Sequence, residues 1–232
     1  MYWNPVYFLF ALPALLLGMY AQVKIKSAYG RYTQVANAMG ITGVEAAQRL
    51  LQSNGLEHVQ LEGTPGELTD HYDPSKKKLA LSRDVAYGRS VAGLAIVAHE
   101  VGHAVQDHTN YGPMKLRNGI VPMVQISAAV GPIIFILGYM LGTTSLAWLG
   151  LLLFSASGVF SLLTLPVEKN ASARALQMLT TNGLVVQREE IAGAKSVLDA
   201  AALTYVAALL QVLSTLLYYV FLLSGSSGRR RS

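Results

Sequence analysis

Four stretches of the chain are apolar for the ~20 residues that a bilayer-spanning helix needs: residues 5–23, 120–141, 146–165 and 203–223. The first has no basic residue ahead of it and is followed by Lys24, Lys26 and Arg31. That polarity is expected of an uncleaved anchor with an outer N-terminus, rather than of a cleaved signal peptide. Only Gly142, Thr143, Thr144 and Ser145 separate the second and third stretches, which reads as a helical hairpin. Pro122 and Pro132 lie in its first arm, where neighbouring membrane helices tolerate proline. Tyr205, Tyr218 and Tyr219 sit near the ends of the fourth stretch, as interfacial aromatics do.

Between these stretches the pattern becomes polar and mostly helical. Thr42-Gly43-Val44-Glu45 reads as a capping box opening a helix that ends near Gly55. Asp73-Pro74-Ser75 is a turn signal. Leu79-Ala80-Leu81-Ser82 is short and reads as an edge strand. Ser90 is placed to cap a helix from Val91 to about Asp107. The first half of that helix is apolar nearly all round, so it is expected to be buried. Pro166 is expected to start a further helix that stops near Asn182-Gly183.

Composition agrees with a membrane setting: 52% of residues are hydrophobic and 13% charged, against about 25% charged in soluble domains. The net charge of +5 does not point to nucleic acid, because the basic residues flank the apolar stretches. Counting crossings places residues 24–119 and 166–202 on one side, with Lys24, Lys26, Lys115, Arg117, Lys169 and Arg174. The positive-inside rule makes that side cytoplasmic. Arg229, Arg230 and Arg231, in the tail beyond the fourth stretch, point the other way. There are no cysteines, which excludes thiolate ligands, disulfides and a cysteine nucleophile.

The chemistry is concentrated in His99-Glu100-Val101-Gly102-His103, an H-E-x-x-H sequence. Residues i and i+4 share a helix face, so both imidazoles reach one ion. Zinc held there would lower the pKa of a water it carries towards ~7, and Glu100 would take the proton and pass it to the leaving amine. A zinc metallopeptidase follows, with Zn2+ as cofactor and a protein or peptide as substrate. Catalytic zinc takes three protein ligands and keeps one open position. From its place just after the third apolar stretch, Glu168 is the leading third ligand. By position alone it reads equally well as an acid stabilised at a helix N-terminus. His108, five residues past His103, falls on another helix face.

The segments Val97–Gln106, Leu68–Pro74 and Pro166–Ser172 together resemble the YugP-type bacterial membrane zinc metallopeptidases, over nearly the whole chain. More distantly, the layout is similar to the HtpX and Ste24-type membrane peptidases. The resemblance implies that the third ligand is Glu168, in a gluzincin-like endopeptidase site in a bacterial plasma membrane, acting in membrane-protein quality control. It also implies that an extended segment, here 79–82 with Leu79 and Leu81, pairs with substrate main chain by β-augmentation. Two positions depart from the distant relatives. Ser172 stands where their Glu-x-x-Ala-Asp has the aspartate that supports a zinc histidine, and Asn170 stands where an acid would be unsurprising. Support for the histidines then weakens or comes from elsewhere. An electrophile for the oxyanion is also needed, and His71, Tyr111 and Arg174 are the candidates.

The expected architecture is a mainly α, polytopic membrane protein with about four transmembrane helices and a small zincin-like helical metal domain with a short edge strand. Its parts are a first transmembrane helix (1–23), a zincin-like region (24–119), a transmembrane hairpin (120–165), a helical region carrying Glu168 (166–202), a fourth transmembrane helix (203–224) and a flexible tail (225–232). Two other readings compete. An intramembrane protease would need its metal helix in lipid, but the apolar run around His99 is only about 16 residues, short of a span. A membrane protein with a structural metal would have no use for Glu100.

Overall fold

The computed structural model describes residues 5–228. Its elements, in chain order, are α1 (Pro5–Thr33), α2 (Gly43–Ser53), β1 (Gln60–Thr64), β2 (His71–Asp73), β3 (Lys78–Ser82), α3 (Arg83–Tyr87), α4 (Val91–His108), α5 (Gly112–Met140), α6 (Thr144–Thr181) and α7 (Arg188–Gly228). The mainly helical reading therefore holds, with a small sheet. Four helices, α1, α5, α6 and α7, are long and apolar enough to cross a membrane.

Three boundaries differ from the sequence reading. Pro166 does not open a helix but lies inside α6; its missing N–H removes one ladder bond, a loss the rest of a long helix outlasts. α7, the helix of the fourth apolar stretch, starts at Arg188 rather than near residue 203, because its Leu198-Asp199-Ala200-Ala201-Ala202-Leu203 stretch holds no glycine or proline. It also continues over residues 225–228 of the expected flexible tail. The three terminal arginines lie outside the described residues.

The chain forms two compact units. The first takes in the described residues of Met1–Tyr20, Leu116–Leu165 and Thr204–Ser232. Its α5–α6 hairpin turns at Gly142, whose φ of 65° suits glycine. The arms meet through glycine. A Cβ on Gly138 would lie 2.3 Å from Ala147 N, and one on Gly150 would lie 2.2 Å from Phe135 N. Small residues allow this backbone approach, which drives helix association in lipid. Phe135 is buried and stacks on Tyr219 at 3.8 Å.

The second unit comprises Ala21–Lys115 and Pro166–Leu203. α2 has the expected capping box: Thr42 accepts from Glu45 N, and Glu45 accepts from Thr42 N. The sheet has the order β1-β3-β2, with β1 parallel and β2 antiparallel to β3. Residues 79–82 are therefore in the middle strand, a correction to the expected edge strand. β3 is apolar on both faces because both are covered, with Leu79 and Leu81 buried. The β2–β3 turn is tied by Asp73, whose carboxylate accepts from Ser75 N and Lys76 N.

α4 is the central helix of this unit. Ser90 Oγ caps it, accepting from Gly93 N at 3.0 Å. Leu94, Val97, Ala98 and Val101 are buried, and burying a valine or leucine side chain stabilises a core by about 1.5–3 kcal/mol. At the other end, Asn110 takes φ 56°. Asn110 N donates to Asp107 O and Tyr111 N to Gln106 O, the paired bonds that close a helix through a left-handed residue.

Candidate metal centre

Helical spacing puts His99 and His103 on one face of α4, with ring centroids 4.8 Å apart. α6 brings Glu168 to the same point. Glu168 Oε2 lies 3.1 Å from His99 Nε2 and 3.3 Å from His103 Nε2, and the three ligand atoms all fall within 4.8 Å of one another. His103 and Glu168 are buried, and His99 is nearly so. A carboxylate oxygen and two imidazole nitrogens at these distances can hold one another through shared protons, and the same three atoms are placed to close on a shared cation. Zinc suits this donor set. Tetrahedral coordination at 2.0–2.2 Å would separate ligand atoms by roughly 3.4 Å, close to the two distances above.

The other nitrogen of each ring also has a partner. His99 Nδ1 is 3.2 Å from Ser172 Oγ, so position 172 still touches a histidine of the site. His103 Nδ1 is 2.9 Å from Gln106 Oε1. Burial works against charge on His103, but its hydrogen bond to Glu168 and the Glu100 charge outweigh this and raise its pKa.

Glu100 stands beside the cluster rather than in it. Its Oε2 accepts from Tyr72 N at 3.0 Å, so β2 turns its outer edge towards this carboxylate. Tyr72 is held at its far end too, where its hydroxyl donates to Asp107 Oδ2 at 2.7 Å. Lys77 pairs with the same oxygen. Burial raises the Glu100 pKa above the usual carboxylate value; His99 and His103 oppose this, while Glu168 and Asp70 add to it.

The remaining sequence candidates are scattered. His71 is exposed on β2, with Nδ1 2.9 Å from Thr69 O. Arg174 donates from Nε to Asn170 Oδ1 at 2.8 Å, and its guanidinium lies 6.0 Å from the centre of the Tyr111 ring. Leu79 and Leu81 are corrected: with side chains in the core and a strand on either side, they have neither surface nor free main chain for a substrate. His108 is exposed beyond the cluster, 6.5 Å from the His58 ring. The sequence reading missed Tyr72, Asp107 and Gln106. The last is three residues past His103, a spacing that places two side chains on one helix face.

The chain matches the family described as "Putative neutral zinc metallopeptidase" over residues 7–224. It belongs to that family. A relative, the "Putative membrane protease YugP" of Bacillus subtilis (strain 168), is 46% identical over 209 residues, covering 90% of this chain and 92% of the relative. No solved structure matches the chain. Membership in this zinc metallopeptidase family makes zinc the cofactor and protein the substrate class. Together with the membrane relative and the four apolar helices, it makes the chain an integral membrane protein.

In this zinc metallopeptidase, the close approach of α6 to α4 depends on Gly102. A Cβ there would lie 2.7 Å from Ala171 O. Alanine would gain about 1 kcal/mol of helix propensity, but the backbone carbonyl cannot step aside without moving the segment that carries Glu168. Overpacking of this kind costs about 1–3 kcal/mol, so we expect Gly102→Ala to lose up to about 2 kcal/mol net, and to bind zinc more weakly. Thermal melting with and without zinc measures both; an unchanged or raised melting temperature in both states would refute the packing argument.

Proposed function

We propose that the chain is a zinc-dependent endopeptidase that cuts membrane or membrane-adjacent proteins, with His99, His103 and Glu168 holding zinc and Glu100 as general base. The observation that carries this reading is the convergence of both Nε2 atoms on the buried Glu168 carboxylate, with a second carboxylate beside them. Zinc, when bound, supplies the Lewis acidity that polarises the scissile carbonyl and makes water a nucleophile at neutral pH. Glu100 takes the proton from the attacking water. The Tyr72 N–H fixes one of its oxygens and leaves the other to receive that proton. Glu100 then hands the proton to the leaving amine.

Substrate main chain is placed along the outer edge of β2, the edge beside Glu100, where pairing would extend the sheet by one strand. His71, Tyr111 and Arg174 remain the candidates for the electrophile that meets the oxyanion. The basic residues flanking the spans support an active site on the cytoplasmic side of a bacterial plasma membrane. α4 is not among the four helices apolar enough to span, which favours a metal helix outside lipid over an intramembrane site.

The test is cleavage of casein or a quenched fluorescent peptide by detergent-purified, zinc-loaded protein. Cleavage should stop on chelation and return with added zinc. A protein that binds zinc yet cuts no peptide under any loading would overturn the endopeptidase reading.

A further inference from the structure

The two histidines of the site are held by different kinds of partner. Ser172 Oγ, beside His99 Nδ1, can donate or accept, so it leaves the tautomer of His99 open. Beside His103 stands a chain of hydrogen bonds with a fixed direction.

That chain is anchored by groups with one role each. The Arg174 guanidinium only donates, so Asn170 Oδ1, which it meets at 2.8 Å, is an acceptor oxygen. The same oxygen is 3.0 Å from Gln106 Nε2, and that nitrogen is also 2.8 Å from Val167 O. A backbone carbonyl only accepts. Both hydrogens of the Gln106 amide are thereby assigned, one to Val167 and one to Asn170. The amide oxygen of Gln106 is left facing His103 Nδ1 at 2.9 Å. An amide oxygen cannot donate, so Nδ1 must carry the proton. Nε2, the nitrogen that faces Glu168 Oε2, is then the one left for zinc.

Burial keeps this direction from reversing. Gln106 is fully buried, with no solvent to satisfy a flipped amide. A flip would set its oxygen against Val167 O and Asn170 Oδ1, three acceptors facing one another. The backbone of Gln106 is also fixed, because its carbonyl accepts from Tyr111 N in the closure of α4.

We propose that Gln106, Asn170 and Arg174 form a one-way hydrogen-bond relay that holds His103 with its proton on Nδ1, and so sets zinc affinity at Nε2. This rests on the reading of His103 as a zinc ligand. Towards zinc the three are positioning residues: they do not touch the ion but act on it through His103. Outer partners of zinc histidines commonly change metal affinity 10–100-fold when removed. The relay also makes the two histidines unequal, with removal of the His103 partner costing more than removal of the His99 partner.

The experiment is zinc titration of full-length apoprotein in detergent against a chromogenic chelator, with zinc alone as the probe. Gln106→Leu removes the acceptor and should weaken zinc binding by about 10–100-fold, with Ser172→Ala weakening it less. Asn170→Leu should also weaken binding, whereas Asn170→Asp keeps an acceptor for both Gln106 and Arg174 and should stay within roughly threefold of the parent. The second readout is the side-chain nitrogen spectrum of histidine-labelled apoprotein at a pH high enough that the imidazoles are neutral, simplified by there being only five histidines. It should show the His103 proton on Nδ1 in the parent and in Asn170→Asp, and mixed tautomers in Asn170→Leu. Should Gln106→Leu fail to fold, the Asn170 pair decides. Unchanged affinity in Gln106→Leu and Asn170→Leu, or equal losses in Asn170→Leu and Asn170→Asp, would overturn the relay while leaving the zinc site standing. A parent protein that takes up no zinc would overturn the site, and the relay with it.

Discussion

Replacing Glu100 by glutamine should lower peptide hydrolysis by about a thousandfold while leaving zinc in place. General-base catalysis contributes roughly 10²–10⁴-fold, and a thousandfold corresponds to about 4 kcal/mol of barrier. Glutamine has nearly the same shape, and its amide oxygen can still accept from Tyr72 N as Glu100 Oε2 does. What it lacks is the ability to take a proton from water and return it to the leaving amine. Glu100 is outside the set of three converging ligand atoms, so metal content should stay at that of the parent. Initial rates on a fluorescent peptide and zinc per chain by elemental analysis separate the cases. Parental rates in the glutamine variant would remove Glu100 from the chemistry. Loss of zinc together with rate would make it a ligand instead.

Local signals carried α4 and its chemistry, and they failed where structure depends on distant pairing. The Ser90 cap, the apolar first half and the i, i+4 histidines are all written into one continuous stretch, and α4 has the expected start and nearly the expected end. The four apolar stretches likewise gave the four spanning helices. The sheet was harder. β1 is Gln-Leu-Glu-Gly-Thr, with a glycine and little of the β-branched or aromatic character that marks strands. It becomes a strand only by pairing in parallel with β3, Leu61 opposite Leu79. The middle position of β3 was hinted at by its unbroken Leu-Ala-Leu run, since strands covered on both faces lose alternation. Sequence order alone would not place it between β1 and β2.

The site divides in the same way. Glu168 is far from α4 in sequence; its position after the third apolar stretch made it the leading candidate without deciding between ligand and helix-terminal acid, and the resemblance favoured the ligand. Asn170 and Ser172 stood out as departures from an acidic pattern. In the structure they are partners of the histidine surroundings: Ser172 directly on His99, and Asn170 through Gln106 on His103. Which side chain touches which nitrogen depends on the packing of α6 against α4 at Gly102, and no local pattern reports that distance.

Removing Glu168 should have the largest effect on the metal. With alanine there, two imidazoles remain, one ligand short of the three that catalytic zinc takes. Zinc should fall from about one per chain to near zero after dialysis against a chelator, as it should in His99→Ala. Stability offers an independent reading. A ligand present at a thousand times its Kd adds about 4 kcal/mol to the folded state, and a chain of this size melts about 2–4 °C higher for each kcal/mol. The parent should therefore melt on the order of 10 °C higher with zinc than with chelator, and Glu168→Ala should show almost no such difference. The chelated forms should differ much less from each other. Without zinc, removing Glu168 loses its contacts with the two imidazoles but also removes a buried carboxylate that is costly to desolvate, and the two effects offset each other. Full zinc binding and a full thermal shift in Glu168→Ala would move the third ligand elsewhere. Loss of both in Glu168→Ala and His99→Ala, with both retained in Glu100→Gln, would fix the division of labour between the ligands and the base.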